Sequence, residues 1–81
     1  MNPAYATASG MEVLVFRTNL RFKKDLRLVA PVLDEAPGLH KWTVDREDTD
    51  KVLRIETRNP DPIPIIRLVE ACGYLCEELP D

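Results

Sequence analysis

The chain's two cysteines, Cys72 and Cys76, stand in the run C-G-Y-L-C. Thiolates are nucleophiles and soft-metal ligands, so this pair is the first place to look for chemistry. In an unbroken helix an i, i+4 pair would share a face. Gly73 between them breaks helices, so the spacing alone fixes no geometry. Two readings stay open. In the first, Cys72 fills a helix-to-sheet interface and Cys76 faces the helices from a last strand, both as small hydrophobes. In the second, the pair binds Cu(I) or Zn, or cycles between thiol and disulfide. Structural zinc sites need four ligands, which favours the first. His40, the only histidine, begins a strand beside Lys41, and no second histidine or well-placed cysteine completes a nucleophile–base pair. The acidic run DREDTD, Asp45 to Asp50, lacks the sixth-position glycine and distal glutamate of a calcium loop, so it reads as a solvated turn. Gly10, Gly38 and Gly73 are too scattered to cradle phosphate. With no convergent acid, base and nucleophile, the expectation is a non-enzyme with no catalytic residue and no cofactor.

The elements that would position these residues follow from periodicity. Met11 to Thr18 is apolar on both faces and rich in β-formers, which predicts a central strand. Leu26, Val29, Ala30 and Leu33 recur at helical spacing, giving a helix over Lys23 to Glu35. Pro31 inside it predicts a bend or local break, and Ala36-Pro37-Gly38 stops it. His40 to Asp45 and Lys51 to Thr57 alternate, predicting an antiparallel hairpin with Trp42 packed into the core. Asp61 reads as an N-cap, with Pro62 at the first helical position. Ile65, Leu68, Val69 and Cys72 form the buried stripe of the second helix, and Gly73 caps it. Tyr74 to Leu79 is a short last strand.

The order β-α-β-β-α-β predicts an α+β, ferredoxin-like sandwich: a four-stranded antiparallel sheet with both helices on one face, and strands one and three central. Residues 1–10 read as a flexible tail of small residues and 11–81 as a single domain. At 81 residues, with 44% hydrophobic and 31% charged, the composition is globular. A net charge of -3 disfavours nucleic acid, and no apolar run is long enough to span a membrane. MNPAYATASG lacks the basic and apolar regions of a signal peptide, so the expected location is the cytoplasm, where thiols stay reduced.

Four stretches resemble the heavy-metal-associated domain, the fold of copper chaperones and of the N-terminal modules of metal-transporting ATPases. They are VLVFRTN, PVLDEAPGLHKWTVD, DKVLRIET, and IIRLVEACGY with CEEL, and together they cover nearly all of Met11 to Leu79. The resemblance implies a C-x-x-C motif in the loop after strand one, whose two thiolates bind a soft ion such as Cu(I). The matching stretch here is TNLRFKKDL, with Phe22 and Asp25 at the two cysteine positions. A phenyl ring cannot coordinate, one carboxylate offers only weak hard-ion binding, and Lys23 and Lys24 repel a cation. The family's metal function therefore does not carry over.

Phe22 is expected as a hydrophobic plug against the helix or Tyr74, and Asp25 as a partner of the helix dipole. The expected function is a non-enzymatic interaction module that has lost its metal cysteines, with Cys72 and Cys76 as the alternative metal or redox pair. Its expected contacts are Asn19, Arg21, Phe22, Lys23 and Lys24, a positive tip suited to an acidic partner. Val13, Val15 and Val52 on the open sheet face are the other expected contacts. Alternation points them away from the helices, with Leu75 beside them. The partner is an unidentified protein, or a second copy docking through that face.

Overall fold

The structure is a computed structural model that describes residues 10–79. The elements run β1 (Glu12–Thr18), α1 (Lys23–Asp34), β2 (Leu39–Asp45), β3 (Val52–Thr57), α2 (Ile63–Ala71) and β4 (Cys76–Glu78). They form one four-stranded antiparallel sheet in the order β2-β3-β1-β4. This is the expected ferredoxin-like arrangement, with strands one and three in the middle. Of the tail read at residues 1–10, only Gly10 lies within the described residues, as part of a turn. No helix among the described residues is long and apolar enough to cross a membrane.

The core follows from period-2 alternation. Leu14 and Phe16 of β1 lie opposite Ile55 and Leu53 of β3, and all four are buried. From above, Val29 and Leu33 of α1 and Ile65 and Val69 of α2 close on them. Trp42 and Val44 flank Ile55 and Leu53 on β2 and pack on the same core. A register shift at His40 lets Leu39 join them, because the extra residue changes which side chains face inward. Trp42 Nε1 donates to Asp34 Oδ1 at 2.7 Å, which satisfies its one polar group.

Four expectations need correction. Helix α1 runs unbroken through Pro31, ending at Asp34 with Glu35 as its cap. Pro31 is exposed, so the carbonyl that lacks its N–H partner can turn to water. Helix α2 begins at Ile63, and Asp61 caps from one residue further out, its Oδ1 accepting from the Ile63 N–H at 3.0 Å. In the α2 stripe, Ile65 and Val69 are buried, whereas Leu68 and Cys72 are only half-buried. Strand β4 covers three residues rather than Tyr74 to Leu79. Tyr74 and Leu75 are instead drawn into a loop by the way α2 ends.

Candidate functional site: the tip formed by two loops

The β1–α1 loop and the α2–β4 loop meet at one end of the sheet. The first is anchored by continuation of the β1 alternation. Thr18 is buried, donates from Oγ1 to the Lys51 carbonyl at 2.6 Å and accepts from the Leu20 N–H at 3.2 Å. Leu20 is fully buried in the core. The plug expected at Phe22 is therefore Leu20. Phe22 is 59% exposed, with the Lys24 Nζ 5.8 Å from its ring centroid, within cation–π range. The signal was present in the sequence, since Leu14, Phe16, Thr18 and Leu20 share one parity.

Gly73 shapes the second loop. Its φ of +93° suits glycine. Its N–H bonds to the Glu70 carbonyl at 2.9 Å, and the Tyr74 N–H bonds to the Val69 carbonyl at 3.3 Å. This is a Schellman ending, and it swings Tyr74 back towards α1. There the Tyr74 hydroxyl donates to Asp25 Oδ1 at 2.7 Å. The other oxygen, Oδ2, accepts from the backbone N–H groups of Arg21 at 3.0 Å and Phe22 at 2.9 Å. Asn19 Oδ1 adds a second tie, accepting from the Leu75 N–H at 2.8 Å.

Asp25 is only 5% exposed. The hydrogen bond from Tyr74 holds its carboxyl below the ordinary carboxylate value, helped by the Phe22 and Arg21 amides and by Lys24, against the opposing effect of burial. The same contact raises the Tyr74 phenol above its ordinary value. Asp25 thus does more than complement the helix dipole: it closes one loop on itself and joins it to the other.

The surface of this tip is basic. Arg21, Phe22, Lys23 and Lys24 are all exposed, whereas the one acid between Asn19 and Leu28 is the buried Asp25. As a metal centre the tip does not fit a soft ion. Phe22 has no lone pair to give, and both Asp25 oxygens already accept hydrogen bonds. Among the described residues no group of three or more His, Cys, Asp and Glu side chains could hold a metal ion.

The cysteines lie just beyond. Cys72 is half-buried at the α2 C-cap, with Sγ 3.9 Å from the Leu28 carbonyl. It packs against the core and reaches the α1 backbone across the seam between the helices. Cys76 is buried on β4, opposite Thr18. Burial, then the charges of Glu70 and Glu77, push its thiol up to about 12, so it is protonated at neutral pH. A thiol in that state is a poor ligand and nucleophile.

The open sheet face mixes apolar and charged residues, as alternation along β1 and β3 implies. Val13 is 43% exposed, but Val15 and Val52 are half-buried. Arg17, Arg54, Glu56 and Lys41 share their face, and Arg17 is ion-paired with Glu77. Leu75, 44% exposed, lies on the α2–β4 loop at the tip.

No known family model matches the chain, and no curated protein does. Solved structures do match. The N-terminal domain of PacS from Synechocystis PCC6803 aligns at TM-score 0.72 and 14% identity, over 85% of this chain and 98% of that one. The Cu(I)-loaded first domain of the human copper chaperone for SOD1 aligns at TM-score 0.70 and 18% identity, over 84% and 92%. The Atx1–Cu(I)–Ccc2a complex, whose Ccc2a is a yeast copper transporter domain, aligns at TM-score 0.70 and 17% identity, over 85% and 96%. The chain therefore has the fold of the heavy-metal-associated, copper-chaperone domains.

Proposed function

We propose that the chain is a non-enzymatic interaction module on the heavy-metal-associated fold, that its metal loop has lost metal binding, and that the tip at Asn19–Lys24 docks an acidic surface of another protein in the cytoplasm. One observation carries this reading. Where the resemblance implies a metal thiolate, Asp25 is buried and fully engaged with the protein's own donors, while Arg21, Phe22, Lys23 and Lys24 project outward. Exposed aromatic and arginine side chains anchor interfaces well, and a single-sign patch steers a partner of opposite charge. A complex formed by a neighbour of this fold, Atx1 with Ccc2a and Cu(I), adds support for a docking role. At the two positions where the resemblance implies metal thiolates, this chain has Phe22 and Asp25. Val13, Val15 and Val52 are a secondary contact, limited by the charges around them.

The test uses a photo-crosslinking residue at position 22 and a control at position 54. Position 22 is expected to capture a discrete protein whose adduct disappears with Lys23→Glu and Lys24→Glu. Equal capture from both positions would reject the tip as the docking surface. The thiol alternative is tested separately, by Cu(I) titration of the reduced protein against a chelator. Tight binding abolished by Cys72→Ser and Cys76→Ser would replace this reading with metal handling.

A further inference from the structure

The end of the sheet that carries the basic tip also carries the β2–β3 turn. The Thr18 N–H donates to the Asp50 carbonyl at 2.9 Å, and Thr18 Oγ1 donates to the Lys51 carbonyl at 2.6 Å. One residue thus ties the β1–α1 loop to the turn. The turn is acidic: Asp45, Glu47 and Asp48 are exposed and Asp50 is half-buried, with Arg46 and Lys51 as its cations. Its shape is held from within. Asp45 Oδ1 accepts from the Glu47 N–H at 3.1 Å, Asp48 Oδ1 accepts from the Asp50 N–H at 2.8 Å, and the Lys51 ammonium donates to the Asp48 carbonyl at 3.1 Å. A basic loop and an acidic turn therefore stand side by side, each set in its own backbone frame.

The two patches do not neutralise each other within the chain. Among the described residues the ion pair joins Arg17 to Glu77, and none joins Arg21, Lys23 or Lys24 to the turn. The ends of the described chain lie away from this surface. Gly10 precedes β1 at its far end, and β4 leads away from the tip, from Cys76 opposite Thr18 to Glu78 opposite Phe16. Residues 1–9 carry no charged side chain. Adjacent patches of opposite sign make a surface complementary to itself. A two-fold axis between them sets each loop on the other copy's turn, and the arrangement closes after two copies. Phe22, exposed on the loop, gives that contact an aromatic anchor.

We propose that the acidic surface docked by the tip is the Asp45–Asp50 turn of a second copy of this chain, in a weak two-fold dimer whose β1–α1 loops each face the other copy's turn. This rests on the docking role proposed for the tip and names the partner. The same charges set the geometry of the pair. A shift that brings turn against turn or loop against loop opposes like charges, which disfavours the wrong register.

Sedimentation of the full chain over a concentration series is expected to show a reversible monomer–dimer equilibrium. Two variants test its charges. Lys23→Glu with Lys24→Glu reverses the loop, and Glu47→Lys with Thr49→Lys reverses the turn, all at exposed positions. Each variant alone should keep the native denaturant midpoint and weaken self-association about tenfold or more. Mixed in equal amounts, the two should pair with each other, because each reversed patch then meets its opposite. A mixture that associates no better than either variant alone would overturn the proposal. So would a native dimer that neither variant weakens, which would place association on another face. A native chain that stays monomeric at ~1 mM, while position 22 crosslinks a different protein, would overturn this inference and leave the docking reading standing. If position 22 also captures no more than position 54, both fall.

Discussion

Asp25 sits where a soft ligand would be expected, yet its chemistry is that of a clasp. Its carboxylate collects the Tyr74 hydroxyl and the Arg21 and Phe22 amides, and charge-assisted bonds of this kind are the stronger ones. The stabilisation they give depends on pH with a definite sign. The folded-state value is depressed and the unfolded value is ordinary, so between the two the unfolded chain binds more protons. Stability from this group is complete above the ordinary carboxylate value and is lost as pH falls through the depressed one. Urea midpoints measured down the acid limb should drop more steeply for the native chain than for Asp25→Asn, which lacks the titrating group. Parallel curves would show that the clasp contributes nothing. Cys76 works in the opposite direction. Its value is raised from 9.0 to about 12, so the folded state keeps a proton that the unfolded state releases. Its contribution is complete below pH 9 and is lost as pH rises towards 12. Native thiol labelling near pH 8 should therefore modify Cys72 well before Cys76, with Cys76 reacting only as the protein opens. Equal rates would mean that Cys76 is accessible, and would revive the thiol reading.

At the scale of elements, what positions the tip is the inward parity of β1, which continues past its last paired residue, Thr18. Thr18 and Leu20 continue the inward parity of Leu14 and Phe16, so the loop is tied to the core before α1 begins. Leu20→Ala removes a fully buried side chain and should cost about 2–5 kcal/mol, read as a lower denaturant midpoint. Phe22→Ala, at a 59% exposed position, should leave the midpoint nearly unchanged. The reverse order would restore Phe22 as the plug. These two residues also mark how much of the site was legible in the sequence. Strands β1, β2 and β3 and both helices were readable because alternation and helical spacing are strong over six or more residues. The buried role of Leu20 is encoded in the same parity, but the run of β-formers ends at Thr18. The ties from Tyr74 to Asp25 and from Leu75 to Asn19 join residues 49 and 56 positions apart, and no local pattern announces such contacts. Gly73 revealed that α2 would end. It did not reveal that the Schellman turn would remove Tyr74 and Leu75 from β4.

Across the whole molecule, the basic tip closed by Asp25 stands at one end of the sheet, where the β1–α1 and α2–β4 loops meet. Under the proposed reading the tip stands where the resemblance implies a metal loop, with Phe22 as the α1 N-cap and Asp25 in its first turn. If side chains alone keep this loop from binding metal, placing thiols at both positions should confer binding. The helix N-terminus favours thiolates there, and two thiolates suffice for the near-linear coordination that Cu(I) accepts. The Phe22→Cys, Asp25→Cys variant should therefore compete with a chelator for Cu(I), whereas the native chain should not. The change also removes the carboxylate that ties Tyr74 and the Arg21 and Phe22 amides, so the copper-free variant should unfold at lower denaturant and regain its midpoint on loading, since a ligand that binds only the folded state stabilises it. Failure to bind despite a folded spectrum would place the loss in the loop backbone or in the repulsion from Lys23 and Lys24. Adding Lys23→Ser and Lys24→Ser to the same variant separates those two causes: recovered binding assigns the loss to charge, and continued failure assigns it to the path of the loop.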